Sequence, residues 1–475
     1  MTHDPILLAF DRLARHRSER PLVASIRRSA TVGDVDSHAR ALGTRLERQL
    51  PPGSAVGLAA PNGPAFLAGL LALRRHGLAA ALLDASAPEP DLLRAAEVIG
   101  ASALLRCATG WPASASDWAL QPVASAAAGA QQRLAGAPII KVTSGSTGSA
   151  LGVRATAENL CADEAALFVT MGLRDDERIV ASIPMSHSYG LSSIALPALL
   201  RGSLILVPDG PGPLTPLEVA RAAAGSFFPT VPAYLQGLVR LRRPEAWPAS
   251  LRLVISAGAA LPPAIAAEFR EIHGQPVHCF YGASECGGIC YDRDGSAGER
   301  GSVGTPVEGV TVALEPQPGR PEGVGAIVVR SPAVAAGYLP DADPRLAAGR
   351  FRTGDRGSWS GGDLRILGRL DGMINVKGKK VDPMEVETVL SGLDGVIEVI
   401  VFGVPSRLDG SQTVRAVVAC RPDTLKSDDV LAFCRARLAE HKVPRSVRLV
   451  SELPRTPRGK VDRALLLDAD TTSRA

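Results

Sequence analysis

Between about residues 35 and 280, short apolar runs alternate with stretches of helical length, and this alternation restricts the fold more than any other feature of the chain. AVGLAA (55–60) reads as a buried strand followed by the turn PNGP, and AFLAGLLALRRHG (65–77) then has helical length and ends at Gly77. Strand-like runs recur at APIIKVT (137–143), RIVASIP (178–184), SLILVP (203–208), LRLVIS (251–256) and VHCFY (277–281). Continuously apolar strands separated by helices predict parallel sheets with both faces covered. Residues 111–135 are rich in Ala and Ser and poor in large apolar side chains, so they read as a surface connection.

The texture changes after about residue 300. GAIVVRS (325–331) and DLRILGR (363–369) alternate with Gly and Pro turns and predict a small β-rich subdomain. From about 372 a shorter α/β unit follows, with PMEVETVLSGL (383–393) and DDVLAFCRARLAEH (428–441) as helices and VIEVIVFGV and TVRAVVAC as strands. The predicted fold class is α/β: a large N-terminal domain of helix-covered parallel sheets with a β-rich subdomain, then a small C-terminal α+β domain. No fixed-period repeat interrupts this order.

Composition narrows the function classes. Hydrophobic residues make up 46% and charged residues 21% of the 475, enough for large cores. A formal net charge of +4 gives no reason to expect nucleic acid or a membrane surface as main partner. No apolar run is long enough for a transmembrane helix, and MTHDPILLAFDRLARHR lacks the pattern of a secretory signal. The seven cysteines are scattered, without a second pair at zinc spacing, and read as reduced thiols of a cytoplasmic protein.

Five segments carry chemistry. In KVTSGSTGSALGVR (141–154), all seven residues from Thr143 to Ser149 are Ser, Thr or Gly. Glycines let backbone N–H groups converge on an oxyanion, and hydroxyls add donors. The segment is not a Walker A loop, which needs G-x-x-x-x-G-K-[ST], and by itself it equally suits a surface turn. In FYGASECGG (280–288) an aromatic ring suited to a nucleobase precedes Ser284, a phosphate-contacting hydroxyl, and Glu285, a carboxylate suited to Mg²⁺. FRTGD (351–355) places Asp355 after a glycine turn, where a carboxylate can accept from two ribose hydroxyls. GRLDGMINVKGKKVDPMEVE (368–387) lies where the two textures meet. LPRTPRGKVDR (453–463) ends a stretch, Lys442 to Arg463, with seven Lys/Arg against two Asp/Glu, and its prolines and glycine favour a presented loop. Each segment alone also fits a bland reading as turn, linker or basic tail.

Taken together and in order, TSGSTG, SAGAAL (256–261), YGASE, TGD, GRLDGMI and PRTPRGKVDR resemble the adenylate-forming superfamily of acyl- and aryl-CoA synthetases, nonribosomal peptide adenylation domains and beetle luciferases. The likeness runs from about residue 30 to the end. It implies an N-terminal AMP-binding domain over 1–370 and a mobile C-terminal domain over 371–475 carrying a catalytic lysine. It also implies that a carboxylate attacks the α-phosphate of Mg·ATP to give an acyl-adenylate and pyrophosphate, after which a thiol of CoA or carrier-protein phosphopantetheine displaces AMP.

By this resemblance Thr143, Ser144, Gly145, Ser146, Thr147 and Gly148 would wrap the β- and γ-phosphates. Gly258, Ala259 and Ala260 would line the adenine, with Tyr281, Gly282 and Ala283 beside it. Ser284 would meet the α-phosphate. Glu285, with Thr143, would bind Mg²⁺, and Asp355 and Arg369 would hold the ribose. Lys460 matches the catalytic lysine, a compact charge able to bridge the carboxylate and the α-phosphate. Asp371 matches the hinge, Gly378 the thiol channel, and Lys380 a basic position that reaches the AMP phosphate. His187, Tyr189, Gly190, Ser256, Gly287 and Gly288 would line the acyl pocket.

The chain departs from the family in its phosphate loop. The lysines of the usual TGKPKG pattern are replaced, giving TGSALG, and Arg154 is the candidate substitute in a different register. The segment before the loop is also shorter than the family pattern, implying a trimmed N-terminal subdomain. The rival readings are a ligase that passes its adenylate to an amine, and a degenerate homologue that binds nucleotide or acyl ligand without turnover.

Overall fold

The computed structural model describes residues 4–475 except 124–133, 135, 137, 145–149, 244–246, 318–320, 348, 371, 373, 377–378, 406–411, 423, 457–460, 463–464 and 467–475. Two sheets dominate the first 300 or so residues, as the alternation predicts. In the first, strands Ile139–Ser144, Ala79–Leu82, Ala55–Ala59 and Ala103–Cys107 lie side by side and parallel. In the second, His278–Ala283, Leu253–Ser256, Phe227–Thr230, Arg178–Val180, Leu204–Leu206 and Pro21–Ala24 do the same. Antiparallel strands flank both.

Burial explains why these strands are mostly apolar. All five residues of Ala55–Ala59 are buried. The largest core lies between the sheets, where helices Val32–Glu47 and Pro64–Arg75 meet Val56, Leu58, Ala80, Ile179, Ile205, Phe227 and Ile255. The opposite face of the second sheet packs Val180, Leu206, Phe228 and Val254 against helices Thr215–Ala222, Pro232–Leu241 and Pro263–His273. The opposite face of the first sheet packs Ala79, Ala81 and Leu104 against helix Glu89–Val98. The result is helix, sheet, helix, sheet, helix, with hydrophobic burial as the main stabilising contribution.

The β-rich stretch forms an antiparallel sheet in which Arg350–Ser360 pairs with both Val324–Arg330 and Asp363–Arg369. Beyond it, strands Val396–Pro405, Gln412–Cys420 and Ser446–Val450 carry helices Pro383–Ser391 and Ser427–Arg435 on one face. The latter helix stops six residues short of the predicted His441. A buried ion pair, Arg356–Asp382, joins this unit to the antiparallel sheet.

Two local readings are corrected. The supposed surface connection contains an edge strand, Trp118–Pro122, antiparallel to Ala103–Cys107, because Trp118 buries its ring and donates to His38 Nε2 at 2.9 Å. Asp355 is not in a turn: it sits within the long strand Arg350–Ser360. Gly354 is small there because a Cβ would lie 2.5 Å from the Arg369 guanidinium, the close approach for which strand glycines are used. All seven cysteines are free thiols, six of them buried.

Candidate active site

In open parallel sheets, ligands bind beyond the carboxyl ends of the strands. Here those ends carry Thr143, Ser144 and Asp84 on the first sheet, and Thr230, Ser256 with Gly258, and the Tyr281–Glu285 segment on the second, with Lys141 joining the two sheets by donating to the Ser284 carbonyl. Gly258 has φ +86°, a left-handed turn that leaves Gly258, Ala259 and Ala260 exposed just past strand Leu253–Ser256. Ser256 is itself buried.

The second motif is a hairpin rather than the end of a strand. Strand His278–Ala283 turns through Ser284–Cys286 into Gly287–Tyr291, with Gly282 opposite Gly288 and Ala283 opposite Gly287. Glycine is required at 282 because a Cβ would press on the Gly287 carbonyl at 2.7 Å. At the tip, Ser284 Oγ accepts from Ser188 Oγ at 2.7 Å, and Glu285 Oε1 accepts from the Tyr338 hydroxyl at 2.9 Å.

The Tyr281 hydroxyl donates to Asp355 Oδ2 at 2.7 Å, and burial, then Asp355, raises the tyrosine pKa. Asp355 faces Arg369 across the antiparallel pair, with Nη1 3.4 Å from Oδ1. The three residues predicted for nucleoside binding therefore form one continuous polar surface.

The PMSHSYG segment is tied down from three sides. Asn62, from the predicted PNGP turn, donates to the carbonyls of Ala181 and Ile183 and accepts from Met185 N at 2.8 Å. The Tyr189 hydroxyl is within 3.2 Å of the Thr230 and Ile255 carbonyls, and its ring packs on Phe280. A Cβ on Gly190 would overlap the Pro184 carbonyl. His187 Nε2 lies 3.5 Å from Asp84 Oδ2, and the imidazole, then Ser86, holds the Asp84 carboxyl well below the usual range. Asp84 was not singled out in the sequence; its signal is an acid directly after a buried strand, in LLDASAP.

Two further buried charges went unread. Asp163, on helix Ala157–Thr170, accepts from Gly288 N at 2.9 Å and from Ser192 Oγ at 2.5 Å. Its helix is set by a capping box, Thr156 with Asn159, while Asn159 Nδ2 also donates to the Pro332 carbonyl. Lys141 is buried and donates to the Ser284 carbonyl at 2.8 Å. Gly287, at φ +68°, has no room for a side chain because a Cβ would overlap the Asp163 carboxylate. Gly287→Ala should lower the unfolding free energy by about 1–3 kcal/mol through overpacking, read as a fall in melting temperature.

Arg154 does not stand in for the missing loop lysines as expected. It pairs with Ile140, so strand alternation puts it on the face opposite Thr143, beside Gly337. The predicted residues Gly145, Ser146, Thr147, Gly148, Asp371, Gly378 and Lys460 lie outside the described residues, and of Lys380 only the backbone, in strand Lys379–Val381, is described. Among the described residues no helix is long and apolar enough to cross a membrane.

The comparisons agree with this architecture. Residues 10–339 match the AMP-binding enzyme family, and residues 385–460 match the AMP-binding enzyme C-terminal domain. A feruloyl-CoA synthase of Amycolatopsis sp is 31% identical over 457 residues, covering 91% of each chain. Among solved structures, ATP-bound MatB from Rhodopseudomonas palustris superposes with a TM-score of 0.83 at 23% identity, covering 100% of both chains. The amide bond synthetase McbA from Marinactinospora thermotolerans gives 0.80 at 25% identity, covering 98% of this chain and 100% of that one. This chain belongs to the AMP-binding enzyme family, within the adenylate-forming superfamily.

Proposed function

We propose that the chain is an AMP-forming acid–thiol ligase. A substrate carboxylate oxygen attacks the α-phosphorus of ATP, forming the acyl-adenylate as pyrophosphate leaves. The thiol sulfur of CoA, or of a carrier protein's phosphopantetheine, then loses its proton to solvent and attacks the acyl carbonyl, and AMP departs with the electron pair of the broken acyl–oxygen bond. The reading is carried by the continuous surface from Arg369 through Asp355 and Tyr281 to the Ser284–Glu285 corner, which opens beside the strand end bearing Thr143.

The roles we assign are those that the family resemblance implies. Asp355 and Arg369 hold the ribose, Tyr281 lies along the base with Gly282 and Ala283, and Gly258, Ala259 and Ala260 border it. Ser284 meets the α-phosphate. The loop from Thr143 to Gly148 takes the β- and γ-phosphates through backbone amides and hydroxyls. Glu285 and Thr143 offer hard oxygen donors suited to Mg²⁺. Bound there, it would neutralise charge on the phosphate oxygens. His187, Tyr189, Gly190, Ser256, Gly287 and Gly288 wall the acyl pocket.

The 371–475 unit acts as a mobile domain that swings about Asp371. One orientation brings Lys460 to the carboxylate and α-phosphate. The other brings Gly378 to the thiol channel and Lys380 to the AMP phosphate. Catalysis is then positioning and charge stabilisation, without a covalent enzyme intermediate.

A pyrophosphate-release screen over aryl, aliphatic and substituted carboxylic acids tests this. It is run with CoA, with carrier protein, with amines and with no acceptor. Acid-dependent release followed by thioester formation is expected. Amide accumulation without thioester would transfer the proposal to the amine ligases, and nucleotide binding with no release for any acid would favour a non-catalytic homologue.

A further inference from the structure

Lys141 is the buried cation nearest the phosphate loop by sequence, two residues before Thr143 on the strand that delivers it. It is 2% exposed, and strand alternation puts it on the same face as Thr143, with Val153 and Leu151 opposite them on the paired strand. Its ammonium donates to the carbonyl of Ser284 at 2.8 Å. Taking an ammonium out of water is costly unless charge and hydrogen bonds compensate, so a chain that buries one here gains something local from it.

That gain fits the departure seen in the loop. The family's lysines are absent from TGSALG, and Arg154 is on the wrong face to replace them. The Ser284 carbonyl that Lys141 holds is followed directly by Glu285, and Asp163 accepts from Gly288 N on the same hairpin at 2.9 Å, so two carboxylates that would repel a polyphosphate flank this corner. We propose that Lys141 is a positioning residue for the phosphate site. Its buried ammonium stands in for the missing loop lysines by balancing these carboxylates and pinning the Ser284–Glu285 corner to the strand that carries Thr143. This rests on the roles assigned above to Ser284, Glu285 and Thr143.

The test uses Lys141→Met, Lys141→Gln, Leu151→Lys and the double variant Lys141→Met/Leu151→Lys in the full chain, with folding checked by circular dichroism. Binding of Mg·ATP and of adenosine is measured by calorimetry, and KM for Mg·ATP and for the acid by pyrophosphate release. Loss of the Lys141 charge should raise KM for Mg·ATP by about tenfold or more. Acid KM and adenosine affinity, which involve no polyphosphate, should stay within about twofold. Lys141→Gln, which keeps a donor for the Ser284 carbonyl, should show the same selective loss and carries the test if Lys141→Met does not fold. Leu151→Lys should recover more Mg·ATP affinity in the Met background than it adds to the wild type, a coupling that a packing role would not produce. Equal losses for adenosine and Mg·ATP, absence of that recovery, or failure of both Lys141 variants to fold would overturn the inference. A wild type that binds no Mg·ATP would remove the functional reading as well, which separates the two failures.

Discussion

Lys460→Ala should lower acid-dependent pyrophosphate release by about 10²–10³-fold, the scale on which removing one preorganised charge-stabilising donor acts. Thioester formation from synthetic acyl-adenylate should remain close to wild type. The expected asymmetry follows from the chemistry. Adenylation brings an anionic carboxylate against an anionic α-phosphate, and a compact ammonium offsets both charges as the new bond forms. Thiol attack on the acyl-adenylate has no such pair of anions to bring together. Separate assays of the half-reactions decide the matter, and equal loss of both would count against a scheme in which the C-terminal unit serves them in different orientations.

Asp382→Ala should strongly destabilise the junction. Asp382 is the buried partner of Arg356, and its Oδ1 also accepts from Met384 N at the start of helix Pro383–Ser391. Arg356 is buried too, with one donor on the Leu367 carbonyl. Removing one partner of a buried ion pair costs about 3–5 kcal/mol, because the remaining charge stays out of water. Loss of the cap adds about 1 kcal/mol. Differential scanning calorimetry should show the melting transition moved down or split, with the C-terminal unit melting first. An unchanged profile would mean that Arg356 finds water or another acceptor when Asp382 is gone.

The layered core could be read from the sequence because both sheets are covered on both faces, so their strands are predominantly apolar. Tyr281, Glu285, Asp355 and Arg369 could be singled out there because they stand in segments that resemble the adenylate-forming superfamily, and the structure brings Tyr281, Asp355 and Arg369 side by side. The strand setting of Asp355 was missed because Gly354 looks like a turn residue, whereas it actually makes room for the Arg369 guanidinium. Trp118 was missed because its neighbours are small and polar, and only the adjacent strand makes it a core residue. Asp84 and Asp163 belong to no motif, and Lys141 stands before the Ser/Thr/Gly run of KVTSGSTGSALGVR rather than within it. The meaning of each lies in a partner distant in the chain: His187, Gly288 and Ser284.

The anchoring of Asn62 and Tyr189 bears on how an acid would be selected. Asn62 holds the Ala181–Met185 backbone at three points, and the Tyr189 hydroxyl spans the carbonyls of two neighbouring strands. The wall they form is tied to the strands of the sheet. Under the pocket role proposed for it, discrimination among acids on that side would work as a fixed gauge. Acids are sorted by whether their contour fits a preset shape, and the adaptable contribution is left to the parts of the chain that are not bolted to the sheets.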